Sequence, residues 1–74
     1  MLFVFEEDDK HGIWMKDMLF PLDVIWMDKE GNVVDYVENL QPCLNLANCK
    51  TYFPKKEARY VLEINAGVAK SLLK

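Results

Sequence analysis

The residues in this chain whose types could do chemistry fall into three groups. Cys43 and Cys49 form a C-x5-C spacing, which matches neither a zinc knuckle nor a thioredoxin-type redox motif. If the two sulfurs pair, they close a small loop and contribute about 2–3 kcal/mol. If they do not, they are two separate thiols of a reducing compartment. A metal site built on them would also need His11 or a carboxylate brought close. His11, the only histidine, stands beside Gly12 after the acidic stretch Glu6-Glu7-Asp8-Asp9. That setting reads as a surface or turn position. A nucleophilic pair between His11 and either cysteine would have to be assembled by the fold. No G-x-S-x-G is present, and Ser71 falls in a terminal helical segment. The third group is Trp14, Lys16 and Asp17, with Asp23 just beyond Pro21. One reading is a satisfied polar cluster at a strand corner. The other is the polar end of a pocket walled by a tryptophan, since ligand sites combine apolar walls with a few polar groups. Tyr52 joins Trp14, Lys16, Asp17 and Asp23 as a candidate ligand contact. No catalytic residue, metal ligand or cofactor is assigned.

Those residues sit on a chain of 74, enough for one domain over residues 1–74 and too few for two. Hydrophobic residues make up 51% and aromatics 12%, too apolar a composition for disorder. The net charge of -3 argues against nucleic acid, whose phosphates need a basic face. Lys55-Lys56 is the only adjacent basic pair and reads as a solvated loop. The longest strictly apolar run is residues 1–5, far short of the roughly 20 residues a bilayer needs. The basic start of a signal peptide is also missing, so the expected location is cytoplasmic, or exported if a longer precursor exists.

The elements that must position the candidates are mostly strands. Residues 2–5 (LFVF) read as a buried strand, residues 6–12 as a turn, and residues 13–16 as a short second strand. Residues 22–28 (LDVIWMD) are apolar on both alternating faces, which predicts a central strand. The run Asp28-Lys29-Glu30-Gly31-Asn32 supplies a hairpin turn into residues 33–38. Residues 39–57 carry no clean period and read as a long loop. Residues 58–64 read as a further strand, with Tyr60, Leu62 and Ile64 on one face and an Arg59–Glu63 surface ion pair on the other. Residues 66–73 read as a helix capped by Asn65, with Val68 and Leu72 facing the sheet. Trp14, Met15, Trp26, Met27 and Tyr36 are expected mostly in the core. The predicted architecture is mainly β (α+β): a small antiparallel sheet or partly open barrel of about five strands with a short C-terminal helix.

Several motifs occur in an order that is specific when taken together. They are the Met1-Leu2-Phe3-Val4-Phe5 strand, Trp14-Met15-Lys16, and Pro21-Leu22-Asp23 before an apolar strand. Pro42-Cys43 with Cys49 follows, then Thr51-Tyr52-Phe53-Pro54, Ala58-Arg59-Tyr60-Val61-Leu62-Glu63 and Ala66-Gly67. In this order the chain resembles domain-of-unknown-function family 192, also called uncharacterised protein family 0127, over nearly its whole length. The resemblance implies a compact β-rich fold and carries no activity with it. Relative to the family pattern, an N-terminal strand-and-helix region and a C-terminal closing strand are missing, and Met1 falls at an internal methionine. The chain is therefore expected to be a fragment or to have a misplaced start. Asp17 replaces a common asparagine. A sheet without its outer strands has bare edges that pair with other chains.

Three functions follow as expectations. The first is a non-enzymatic module binding a small ligand or a protein near Trp14, Lys16, Asp17 and the cysteine loop. The second is a structural unit that oligomerises through its sheet edges. The third is a thiol-dependent protein using Cys43 and Cys49, with Lys50, Lys55 and Lys56 nearby in sequence. The expected partner is a small ligand, a protein or a second copy, with neither nucleic acid nor membrane.

Overall fold

The computed structural model describes residues 1–44 and 48–73. Among these residues the chain forms β1 (Leu2–Asp9), β2 (Ile13–Trp14), β3 (Leu22–Met27), β4 (Val33–Leu40), β5 (Thr51–Tyr52), β6 (Ala58–Asn65) and the short helix α1 (Ala69–Leu72). Four strands make an open antiparallel sheet in the order β1-β6-β3-β4, and β2 and β5 pair as a separate ribbon. No described helix is long and apolar enough to cross a membrane.

The expected central strand is central. β3 lies between β6 and β4, and Leu22, Val24, Ile25 and Trp26 are all buried. The hairpin from β3 to β4 forms as its residues dictate. The Asp28 carboxylate accepts the Glu30 and Asn32 N–H groups at 3.0 and 2.8 Å. Gly31 takes the left-handed φ of +87° that a side chain resists.

Register decides which side chains share a face, because directly paired residues project to the same side. One row runs Phe3, Val61, Trp26, Asp35, and the next carries Glu63, Val24 and Val37. The core forms on this face. Trp26, Val24 and Val61 are fully buried there, and Met15, Leu40 and Ala58 close over them. Ile13 and Tyr52, paired across the ribbon, pack onto the same cluster with Phe3 and Phe5. The buried Trp26 indole N–H donates to the His11 carbonyl at 2.7 Å, which ties the β1–β2 connection to the core. The opposite face carries the row Leu2, Leu62, Ile25, Tyr36; Leu2 and Tyr36 are exposed there.

Several expectations change. The acidic residues 6–9 continue β1 and do not turn, because Asp9 pairs with Ala58. Leu2 and Val4 are exposed, so β1 is an edge strand with one buried side. Arg59 bonds Asp8 on β1 at 2.9 Å, not Glu63, because β6 is flanked by β1. Residues 39–57 are not all loop: β4 reaches Leu40 and β5 lies inside the segment. Residues 45–47 of that predicted loop lie outside the described residues. The helix begins at Ala69 with Val68 as N-cap and no side-chain cap, while Asn65 ends β6. Ala69 is its buried residue, whereas Val68 and Leu72 are exposed. Of the five large residues expected mostly in the core, Met15 and Trp26 are buried, but Trp14 and Tyr36 are 53% and 47% exposed.

Candidate functional site

The most distinctive concavity lies where β1 and β6 meet the β2–β5 ribbon. It is a cleft of about 190 Å³ lined by Phe3, Phe5, Gly12, Ile13, Trp14 and Glu63. Alternation along β1 brings Phe3 and Phe5 to the core side, and neither is fully exposed. The His11 ring stacks on Phe5 with centroids 3.7 Å apart and planes within 8°. His11 Nε2 lies 2.9 Å from the Glu7 carbonyl oxygen, an acceptor only, so Nε2 carries the proton and donates. His11 therefore holds the cleft's rim with both its ring and its backbone. Gly12 is closely approached: a Cβ there would stand 2.7 Å from both the Phe53 ring and the Thr51 methyl, so these exposed side chains would have to shift. Its bare backbone lets the ribbon close.

Trp14 pairs with Thr51, and the Lys16 ammonium sits 5.2 Å from the centre of the Trp14 ring. Tyr52 pairs with Ile13 and carries the Lys50 ammonium 4.9 Å from its own ring centre. Both exposed ends of the ribbon thus show an aromatic ring with a cation against it. Lys16 also bridges to Cys43, whose N–H donates to the Met15 carbonyl at 3.0 Å. Cys43 and Cys49 are bonded to each other, their Cα atoms 5.7 Å apart. This bond fastens the cysteine loop beside Lys16. Asp17 is exposed in the turn that follows, with a left-handed φ of +64°. Aspartate and asparagine tolerate that conformation better than other side chains.

Glu63 provides the cleft's carboxylate, and reading the sequence as an outward ion pair missed it. It shares the core face with Val24 and is only half-exposed. Burial raises its carboxyl above the ordinary glutamate range, while the Met1 ammonium pulls the other way. The same residue borders a neighbouring cleft of about 240 Å³ with Met1, Met18, Phe20 and Leu22. The available signal was the alternation of Arg59, Val61 and Glu63, in which Val61 marks the core side.

Among the described residues, no three His, Cys, Asp or Glu side chains are grouped to hold a metal ion. The profile of the family described as Uncharacterized ACR matches residues 1–73. The chain belongs to this family, domain of unknown function 192. A UPF0127 protein of Pyrococcus abyssi is 42% identical over 62 residues, covering 84% of this chain and 44% of that protein. The chain thus spans less than half the length of the relative it matches. No solved structure matches it.

In this family-192 chain the Pro-Leu-Asp motif stands apart from the aromatic cleft. Asp23 is fully buried. Its Oδ1 accepts the Asn39 N–H at 2.8 Å, and its Oδ2 accepts the Gly67 and Ala69 N–H groups at 2.9 and 3.0 Å. Asn39 and Gly67 both have positive φ, 55° and 97°, so one carboxylate pins two bends, of which the one at Asn39 is disfavoured for a residue with a side chain. Burial pushes the carboxyl up, but the three N–H donors and the Lys70 charge together outweigh it, holding Asp23 below the ordinary aspartate range. Asp23 also lines its own cleft of about 450 Å³ with Glu38, Asn39, Gly67 and Lys70. The structure thus brings Trp14 and Lys16 into contact and sets Tyr52 on the partner strand of their ribbon. Asp17 follows in the next turn, and Asp23 lines a separate cleft.

Proposed function

We propose that this chain is a non-enzymatic binding module whose site is the aromatic cleft beside the β2–β5 ribbon. The observation that carries this reading is Trp14. A tryptophan kept half in water, on a ribbon docked to the core by Ile13 and Tyr52, contributes little to the fold for its size. It contributes an amphipathic wall to a cleft that already has two phenylalanines and a carboxylate. Lys16 borders that wall, and the disulfide loop is fastened beside Lys16. The cleft is smaller than the roughly 300–1,000 Å³ of drug-sized sites, so the occupant is a small molecule or a single protruding group of a protein. A two-dimensional NMR screen of small fragments tests the reading through the Trp14 indole N–H. Ligands are expected to shift that signal and to lose affinity in Trp14→Ala. A fragment set that shifts other residues and leaves Trp14 untouched would move the site elsewhere.

A second, compatible reading is self-assembly, supported by the open β1 edge and by the exposed Leu2, Val4 and Tyr36 on the sheet face away from the ribbon. A concentration-independent monomer by light scattering would remove it. A Cys43–Cys49 bond in the native protein fits an oxidising compartment, and equally the disulfide-rich cell interior of a hyperthermophile.

A further inference from the structure

We infer that the aromatic cleft takes a small organic cation, an alkylammonium or quaternary ammonium head, with Phe3, Phe5 and Trp14 as its walls and Glu63 as its counter-charge. The inference rests on the binding reading above and names the ligand's chemistry. Three aromatic residues and one carboxylate line a cleft of about 190 Å³, with one face of Phe5 taken by His11 and Lys16 against Trp14. Ring faces attract cations electrostatically, and a quaternary ammonium, with its weakly held hydration, gains most from such a setting. Among the lining residues Glu63 is the charged one, with the Lys16 ammonium on the Trp14 ring at the border and the Met1 ammonium acting on Glu63 from beside it. The neighbourhood already draws cations to its rings, with Lys16 over Trp14 and Lys50 over Tyr52. Glu63 points the same way. It is held half-buried on the core face, where burial disfavours its charge, and a bound cation would favour that charge again.

Lys16 sharpens the prediction. Its ammonium competes for the Trp14 ring and repels a second cation. Removing it should therefore strengthen binding of a cation and weaken binding of an anion.

The test titrates tetramethylammonium and choline into the protein, following the Trp14 indole signal by NMR. The control is the neutral alcohol in which carbon replaces choline's nitrogen. The ammonium probes are expected to bind about tenfold more tightly than the alcohol, a difference set by one partly screened charge pair and the ring contacts. Glu63→Gln should remove most of that difference, and Lys16→Met should tighten the ammonium probes about threefold, the scale of one exposed cation–π contact. Glu63→Gln relieves a buried charge and Lys16→Met leaves a stem of similar shape, so both variants are expected to fold. A peptide carrying trimethyl-lysine separates the sources. If it binds at least as tightly as choline, the head belongs to a protein; if it binds more weakly, the ligand is a free small molecule. Equal or tighter binding of the neutral alcohol overturns the cationic ligand while leaving an apolar binding site. An undiminished ammonium affinity in Glu63→Gln does the same. Failure of every probe and of every fragment to shift Trp14 overturns both the cation and the binding site.

Discussion

Replacing Asp23 with asparagine keeps the shape of the side chain and removes its charge, so it isolates what the buried carboxylate does. The carboxylate accepts three backbone N–H groups, one on Oδ1 and two on Oδ2. An asparagine has one acceptor oxygen. Its best orientation turns that oxygen to Gly67 and Ala69 and sets its own NH2 against the Asn39 N–H. The Asn39 N–H and the new side-chain NH2, both donors, then face each other without an acceptor, costing about 1–3 kcal/mol for the pair in this part-buried setting. The two surviving bonds lose their charge assistance, which roughly halves them and costs about 1 kcal/mol more in total. Relief of the buried charge offsets part of this, so the net loss is about 2–3 kcal/mol. A domain of this size holds only about 4–11 kcal/mol in all. The midpoint of thermal unfolding should therefore fall by about 10–20 °C. Urea unfolding followed through the buried Trp26 gives the free energy directly. The sign of the pH dependence is a second check. The folded carboxyl titrates below the ordinary range, so its stabilisation is complete above the unfolded pKa of about 3.9 and disappears as pH falls through the folded value. The gap between wild type and Asp23→Asn should narrow on acidification below about pH 4. A variant within about 0.5 kcal/mol of wild type at neutral pH would refute the role given to the three N–H bonds, since that is the ordinary scatter of surface substitutions.

Glu63 should behave in the opposite sense. Its folded carboxyl titrates above the ordinary range, so it weakens the fold above that folded value and ceases to do so below the unfolded pKa of about 4.3. Glu63→Gln should raise the urea midpoint at neutral pH and leave it unchanged near pH 3; a lower midpoint at neutral pH would contradict the burial argument. Replacing Cys43 and Cys49 with serine should cost about 2 kcal/mol, as expected for a short closed loop, and intact-mass measurement without reductant should show the wild type two protons light. A full-mass wild type would refute the bond. Gly12→Ala should cost about 1–3 kcal/mol, because its Cβ meets Phe53 and Thr51 at 2.7 Å. A loss below that range by urea unfolding would show that the exposed Phe53 swings aside.

The two strands of the central hairpin and their turn were legible because each is specified locally, by alternation, β-forming residues and a glycine at the left-handed position. What failed was specified by partners. Residues 6–9 carry turn-like acidic character, yet they extend β1 because Asp8 meets Arg59 and Asp9 meets Ala58 on the neighbouring strand. β6 was the sharper lesson. Both of its alternating faces are apolar enough to be core, and Tyr60, Leu62 and Ile64 look the more convincing set. The ribbon covers the other face, so Val61 is buried and Glu63 turns inward with it. The same ambiguity explains the candidate site. Lys16, Asp17 and Asp23 were grouped because they are close in sequence, but strand alternation sends Asp23 to the far side of β3 from Val24 and Trp26. In its place come Phe3, Phe5 and Glu63, distant in sequence from Trp14 or separated from it by a turn. The sequence offered Trp14 as a candidate wall while placing it mostly in the core, and its exposure emerged only with the fold. Only the register of the strands supplies the walls and the charge that give its exposure a use, and the carboxylate that register brings to the core side stays raised although the Met1 ammonium acts on it, so a further positive group would still be favoured there.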